Sequence, residues 1–131
     1  MKARVLVADD HYLVRQGLCD LLDSCGDLEV VGEARNGVEA VQLARDLHPD
    51  VVVMDVEMPI MGGLQATREI LAEMPQVQIV GVSSHTEPDV ITRMLQAGAR
   101  RYVLKSEAIV ALPAAVRELL QASAAPLPTL P

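Results

Sequence analysis

Five times along the chain a short apolar run breaks off at polar residues and gives way to a stretch whose apolar positions recur at intervals of three and four. Val5-Leu6-Val7-Ala8 is the first such run and ends abruptly in Asp9-Asp10, the pattern of a strand buried on both faces that emerges at a sheet edge. From Tyr12 to Leu22 the residues Leu13, Val14, Leu18, Leu21 and Leu22 recur at helical spacing, which predicts an amphipathic helix followed by Gly26. Leu28 to Ala34 reads as a second strand and Asn36-Gly37 as a turn. Val38, Val41, Leu43, Ala44 and Leu47 then mark a helix that stops before Pro49. Val51-Val52-Val53-Met54 is the most β-branched and apolar run, ends in Asp55, and is expected at the centre of the sheet. Beyond a loop from Glu57 to Gly63 the same reading gives a helix (Leu64 to Met74), a strand (Val77 to Val82), a helix (Asp89 to Ala97), a strand (Arg101 to Leu104) and a last helix (Ala108 to Ala122).

Strands that alternate with helices of this length predict an α/β fold: a doubly wound parallel sheet with right-handed crossovers and helices on both faces. The chain has 131 residues, enough for one domain with a real core and no need of disulfides or structural metal. That domain is expected to span residues 1–122. Residues 123–131, with Pro126, Pro128 and Pro131 among small residues, cannot continue the last helix and read as a Pro-rich linker.

In a doubly wound sheet, ligands bind beyond the carboxyl ends of the strands, so the polar residues that follow strands converge on one crevice. Asp9 and Asp10 follow strand one, Asp55 strand three, Ser83 and Ser84 strand four, and Lys105 strand five. Each has an ordinary reading taken singly: Asp10 as a helix cap, Asp55 as the opening of the turn before Pro59, Ser83 as a loop start, Lys105 as a solvated charge. Together they place three carboxylates, a hydroxyl and an ammonium at one edge. Asp9, Asp10, Asp55 and Lys105 sum to a formal charge of about -2 in a confined site, which calls for a balancing cation. Clustered carboxylate oxygens suit Mg²⁺ or Mn²⁺. Zinc is disfavoured, because His11, His48 and His85 form no ligand spacing with either Cys19 or Cys25. Beside such a cation a carboxylate can attack an activated phosphoryl group and form an acyl phosphate, while cation and ammonium neutralise the phosphoryl oxygens. Lys105 would pair with that group and the Ser83 hydroxyl would hydrogen-bond it.

Composition narrows the partners. The net charge of -7, with basic residues scattered apart from Arg100-Arg101, repels nucleic-acid backbones. Trp and Phe are absent and Tyr12 and Tyr102 are the only aromatic rings, so a base-stacking surface is not expected. Cys19 and Cys25 fit neither a CxxC pair nor a zinc knuckle and are expected as reduced thiols. The first apolar run is too brief for a signal peptide, and no stretch reaches the roughly 18 residues of a membrane span, so a cytoplasmic location with no membrane partner is expected.

Asp9-Asp10, Asp55 within MDVEMPIMGG, Ser83 within VGVSSH, and Tyr102 with Lys105 within GARRYVLKS resemble the receiver motifs of bacterial two-component response regulators, over about Lys2 to Ala122. VLVADDHYLVRQGL, VVGEARNG and YVLKS are most similar to the subfamily with a LuxR-type or NarL-type helix-turn-helix output. The resemblance implies the flavodoxin-like form of the sheet, strand order 2-1-3-4-5 with five helices. It also implies that Asp55 accepts phosphate from a sensor histidine kinase. Mg²⁺ would be held by Asp10, Asp55 and the backbone carbonyl of Glu57, with Asp9 helping through water. Ser83 and Tyr102 would form a coupled switch, although the residue pattern alone leaves Tyr102 equally a core residue. Such a chain is a signalling switch that promotes only its own phosphorylation and dephosphorylation. It would regulate transcription through a DNA-binding output domain absent here, and phosphorylation-dependent homodimerisation is a further expectation. A stand-alone receiver that docks on another protein is the alternative.

Three positions set this chain apart from the commonest receiver pattern. Ser106 follows Lys105 where many receivers have proline, so residue type does not set the isomer of that peptide bond. Glu57 and His85, each two residues past a site residue, are expected to tune phosphate lifetime. Rival readings fit less well. Aspartyl-phosphate hydrolases resembling the haloacid dehalogenase family begin with a DxD pair, whereas here the acids are adjacent. A flavin or dinucleotide carrier needs a Gly/Ser/Thr-rich phosphate loop after strand one.

Overall fold

The computed structural model describes residues 2–124, so the proposed linker lies almost wholly outside the described residues. Its strands are β1 (Ala3–Ala8), β2 (Leu28–Ala34), β3 (Val51–Asp55), β4 (Gln78–Ser83) and β5 (Arg101–Leu104), and its helices α1 (Tyr12–Asp23), α2 (Gly37–Leu47), α3 (Gly63–Glu73), α4 (Pro88–Ala97) and α5 (Ala108–Ala124). All strand pairs are parallel and the order is β2-β1-β3-β4-β5, as expected from the sequence.

Alternation along each strand divides the core between the two faces of the sheet. Val5, Val7, Val51, Val53, Val80 and Val82 pack with Leu18 and Leu22 of α1 and Leu112, Val116 and Leu119 of α5. Leu6, Ala8, Val52, Met54 and Ile79 pack on the opposite face with Val41 and Ala44 of α2, Ala66 and Ile70 of α3, and Met94 of α4. Every residue of β3 is buried, because strands flank it on both sides and helices cover both its faces. The unbroken Val-Val-Val-Met run reflects that position.

Helix boundaries follow local chemistry. Asn36 accepts a hydrogen bond from the Glu39 N–H at 2.9 Å and caps α2. Pro88 opens α4 where a missing N–H costs nothing, and Gly98, at φ 118°, ends it in the left-handed region. A single 3-10 turn, Lys105–Glu107, joins β5 to α5 and was not anticipated. The Lys105–Ser106 peptide is trans. Pro113 lies inside α5, where it deprives the Ile109 carbonyl of its usual helical donor. Ile109 is solvent-exposed, so water can replace that donor.

The apolar stripe expected on α1 fails in its first turn. Leu13 is 82% exposed and Tyr12 and Val14 also face solvent, while the buried positions are Arg15, Leu18, Cys19 and Leu22. Arg15 takes the inward place because it has partners there: it donates to the Asp9 carbonyl at 2.8 Å and to Glu33 at 3.0 Å.

Candidate functional site

Strand register alone brings the chemistry together. Ala8 pairs with Met54, Asp55 with Val82, and Ser83 with Leu104. The residues at or just past these positions, Asp9, Asp55, Ser83 and Lys105, therefore emerge along one edge, as the strand-end argument requires.

Asp9 is fully buried and Asp55 is 3% exposed. The Lys105 ammonium reaches between them, 3.0 Å from Asp9 Oδ2 and donating to Asp55 Oδ2 at 3.2 Å. Burial first, then the neighbouring Asp9 charge, push the Asp55 carboxyl up to about 6 against the pull of Lys105. Burial draws the Lys105 ammonium down, but close contact with the Asp9 and Asp55 carboxylates outweighs it and leaves it above the ordinary lysine value. One ammonium does not satisfy the cluster. Asp9 Oδ2 meets Lys105 as a charge contact without hydrogen-bond geometry, and the buried Asp10 Oδ1 also lacks a hydrogen bond. Asp9, Asp10, His11 and Asp55 each present a ligand atom, all within 4.8 Å of one another. Buried, incompletely satisfied carboxylate oxygens fit a hard divalent cation.

Ser83, Tyr102 and His85 form a second group. The Ser83 hydroxyl oxygen, 1% exposed as a residue, accepts from the His85 N–H at 3.1 Å. The Tyr102 hydroxyl donates to the His85 carbonyl at 3.0 Å. The His85 ring is held between Glu57, 2.5 Å from Nε2, and Glu87, 3.1 Å from Nδ1. The Glu87 hydrogen bond, opposed by partial burial and reinforced by Glu57, raises the His85 pKa. Ser83 and Tyr102 thus meet through the backbone of His85. The Glu57 side chain is taken up by the His85 ring.

Three supporting residues escaped the sequence reading. Arg15 holds the Asp9 carbonyl. Gly63 lets α3 begin against the end of β3: a Cβ there would lie 2.0 Å from the Asp55 carbonyl oxygen. Its N–H donates to the Val56 carbonyl at 2.8 Å, closing the loop after Asp55. His11 lies against Asp9 and Asp10. Cys19 is free and buried, and burial raises its thiol to about 12, so it stays protonated and inert. No described helix is long and apolar enough to cross a membrane.

A five-stranded parallel sheet of this order, with acids and a lysine at its carboxyl edge, is the architecture of receiver domains. The chain belongs to the response regulator receiver domain family, whose model matches residues 5–117. It is 46% identical over 114 residues to the response regulator GacA of Pseudomonas viridiflava, covering 87% of this chain and 53% of that protein. It is 40% identical over 114 residues to the transcriptional regulatory protein LiaR of Bacillus subtilis, covering 87% and 54%. The crystal structure of a LuxR-family two-component response regulator from Aurantimonas superposes with a TM-score of 0.89 at 34% identity, covering 93% of this chain and 87% of that one. The chain spans about half the length of the curated relatives it matches. As a response regulator receiver it stands apart from metabolic enzymes.

Proposed function

We propose that this chain is a phosphorylation-controlled switch in which Asp55 accepts a phosphoryl group from a sensor histidine kinase. The observation that carries this reading is the Asp9–Asp10–Asp55 cluster, with buried Asp9 and Asp10 oxygens that lack hydrogen bonds and Lys105 reaching into it. Asp10, Asp55 and the Glu57 carbonyl hold Mg²⁺, or Mn²⁺, with Asp9 acting through water. Bound there, the cation neutralises phosphoryl oxygens and offsets the repulsion among the acids. An Asp55 carboxylate oxygen forms the new bond to phosphorus as the P–N bond of the donor phosphohistidine breaks, its electron pair returning to the imidazole. Lys105 turns part of its charge from Asp9 and Asp55 to the transferred group.

Residues 1–122 form this receiver, and residues 123–131 link it to a DNA-binding output in the full-length protein. The half-length match to transcriptional regulators supports the attached output over a receiver that acts alone. Glu57 and His85 tune phosphate lifetime, since their contact bridges the loops that follow β3 and β4.

Intact-mass spectrometry after incubation with Mg²⁺ and a small phosphoryl donor tests the acceptor. Wild type is expected to gain one base-labile phosphoryl group only with the cation present, and Asp55→Asn none. Labelling of the variant at wild-type level removes Asp55 from the role.

The switch follows from charge. A phosphoryl group adds about -1.5 to -2 beside Lys105. The Ser83 oxygen accepts from the His85 N–H and keeps its own O–H free to donate, so drawing that hydroxyl to the phosphoryl group pulls on the residue whose carbonyl holds Tyr102. A charge-assisted hydrogen bond is worth about 1.5 to 3 kcal/mol, comparable to the gap between two conformers. Ser83→Ala is therefore expected to leave Asp55 phosphorylatable while blunting phosphate-dependent homodimerisation. Light scattering on the phosphorylated variant checks this, and a full wild-type response excludes Ser83 from the switch.

A further inference from the structure

His11 follows the two acids at the exit of β1 and occupies the cap position of α1, yet its side chain caps nothing. Its backbone N–H donates to Asp9 Oδ1 at 2.8 Å. That bond turns the ring toward the acids, with Nδ1 3.2 Å from Asp10 Oδ1 and 3.4 Å from Asp9 Oδ1. Neighbouring donors in the shell of a six-coordinate divalent ion lie about 3 Å apart, so these separations suit a shared metal as well as a charge contact. The buried Asp10 Oδ1, without a hydrogen bond, is the carboxylate oxygen nearest the His11 ring nitrogen. The His11 side chain is 66% exposed, so the ring lies on the solvent side of the cluster, where an entering ion arrives first.

We propose that His11 is a further donor of the acidic site, adding an imidazole nitrogen to the carboxylates so that the site takes nitrogen-preferring divalent ions such as Ni²⁺ in competition with Mg²⁺. The inference rests on the reading that the acidic cluster holds a divalent cation, and it concerns which ions the cluster selects. Spacing in the sequence disfavoured zinc because it compared the histidines with the cysteines. The fold instead sets one histidine against carboxylates. Imidazole strengthens binding of Co²⁺, Ni²⁺ and Zn²⁺ far more than that of Mg²⁺, which prefers oxygen donors and keeps its waters. His11 should therefore shift the preference between the two classes while leaving Mg²⁺ nearly unaffected. A His11 that serves only as an ion-pair partner of Asp9 and Asp10 predicts the opposite sign, since an entering cation would have to expel it.

The experiment is calorimetric titration of the 131-residue chain with Ni²⁺ and, separately, Mg²⁺, on wild type, His11→Ala, His11→Gln and Asp10→Ala, with thermal melts to establish that each variant folds. His11→Ala and His11→Gln are expected to weaken the Asp10-dependent Ni²⁺ event about tenfold, or 1.4 kcal/mol, and to change Mg²⁺ affinity less than about twofold. Co²⁺ is expected to give paramagnetically shifted ring-proton resonances in wild type that vanish in His11→Ala but persist in His85→Ala. Ni²⁺ affinity that is unchanged or higher in both His11 variants, with Mg²⁺ binding intact and dependent on Asp10, overturns the inference and leaves the phosphoacceptor reading standing. Mg²⁺ binding indifferent to Asp10→Ala overturns the metal reading and this inference with it.

Discussion

Without divalent cations, Asp55→Asn is expected to be more stable than wild type at neutral pH by about 1 to 3 kcal/mol, an inversion of the usual cost of altering a buried polar residue. Asp55 is almost completely enclosed beside the fully buried Asp9, and burial together with that charge lifts its carboxyl to about 6. An aspartate in the unfolded chain titrates near 3.9, so a rise of about two units corresponds to nearly 3 kcal/mol at most. The sign follows from proton binding. A folded pKa above the unfolded one means that protonation favours the folded state. The penalty is therefore full above about 6, shrinks as pH falls through that value, and is gone below the unfolded value. Asparagine carries no charge at any of these pH values. Lys105 keeps Asp9 as a partner at 3.0 Å when Asp55 is neutralised, so no isolated ammonium is created. Thermal melts in chelator should show the largest gap between variant and wild type at neutral pH, a few degrees per kcal/mol, closing toward about pH 4. Saturating Mg²⁺ should close it from the other side by stabilising wild type preferentially. A variant no more stable than wild type at neutral pH in chelator would mean that the acids are not in conflict, and the electrostatic case for a cation would fall.

The parts of this site legible in the sequence are those that strand register determines. Asp9, Asp55, Ser83 and Lys105 could be read as neighbours because each lies at or just past the end of a strand and parallel strands end together at one edge. The contact between Lys105 and Asp55 crosses fifty positions, yet topology alone predicts it. What escaped depends on side-chain direction. Arg15 shares the inward face of α1 with Leu18, Cys19 and Leu22, and a charged residue takes that place only because the Asp9 carbonyl and Glu33 are there to receive it. Leu13 was counted in the inward stripe with the apolar residues that recur at helical spacing, and it lies outside. His85 was read as a modifier by its spacing from Ser83, but nothing in the spacing shows that its backbone holds both Ser83 and Tyr102 while its ring holds Glu57. Polar residues gain their roles from partners distant in sequence, whereas apolar runs reveal theirs by pattern.

Gly63→Ala is expected to be among the most damaging single changes in the chain, and its neighbour Gly62→Ala among the mildest. The loop after Asp55 returns at once into α3, and the N–H of Gly63 closes it on the Val56 carbonyl. A Cβ at residue 63 would lie 2.0 Å from the Asp55 carbonyl oxygen, 2.9 Å from its carbonyl carbon and 3.0 Å from the Met54 side chain. The obstacle is mostly backbone in a fully buried strand, which cannot swing aside as a flexible side chain would. Either α3 moves away from the sheet, opening the packing of Ala66 and Ile70, or the end of β3 moves and takes the Asp55 carboxylate with it. Overpacking a rigid core costs about 1 to 3 kcal/mol, and the backbone contact places this case at or above the top of that range. At residue 62 an added Cβ meets only the Val56 carbonyl oxygen at 3.3 Å, and φ is -76°, which any residue adopts. Urea denaturation of the two variants should therefore separate them by about 2 kcal/mol or more. The functional effect should separate them further. A shift of the Asp55 carboxylate by even about 1 Å relative to Lys105 can cost on the order of a hundredfold in a reaction that depends on positioning. Phosphorylation of Gly63→Ala by a small donor with Mg²⁺ should thus be slowed far beyond its unfolded fraction, while Gly62→Ala reacts at nearly the wild-type rate. Equal stability and equal labelling of the two variants would show that the close approach of α3 to β3 does not position the acceptor.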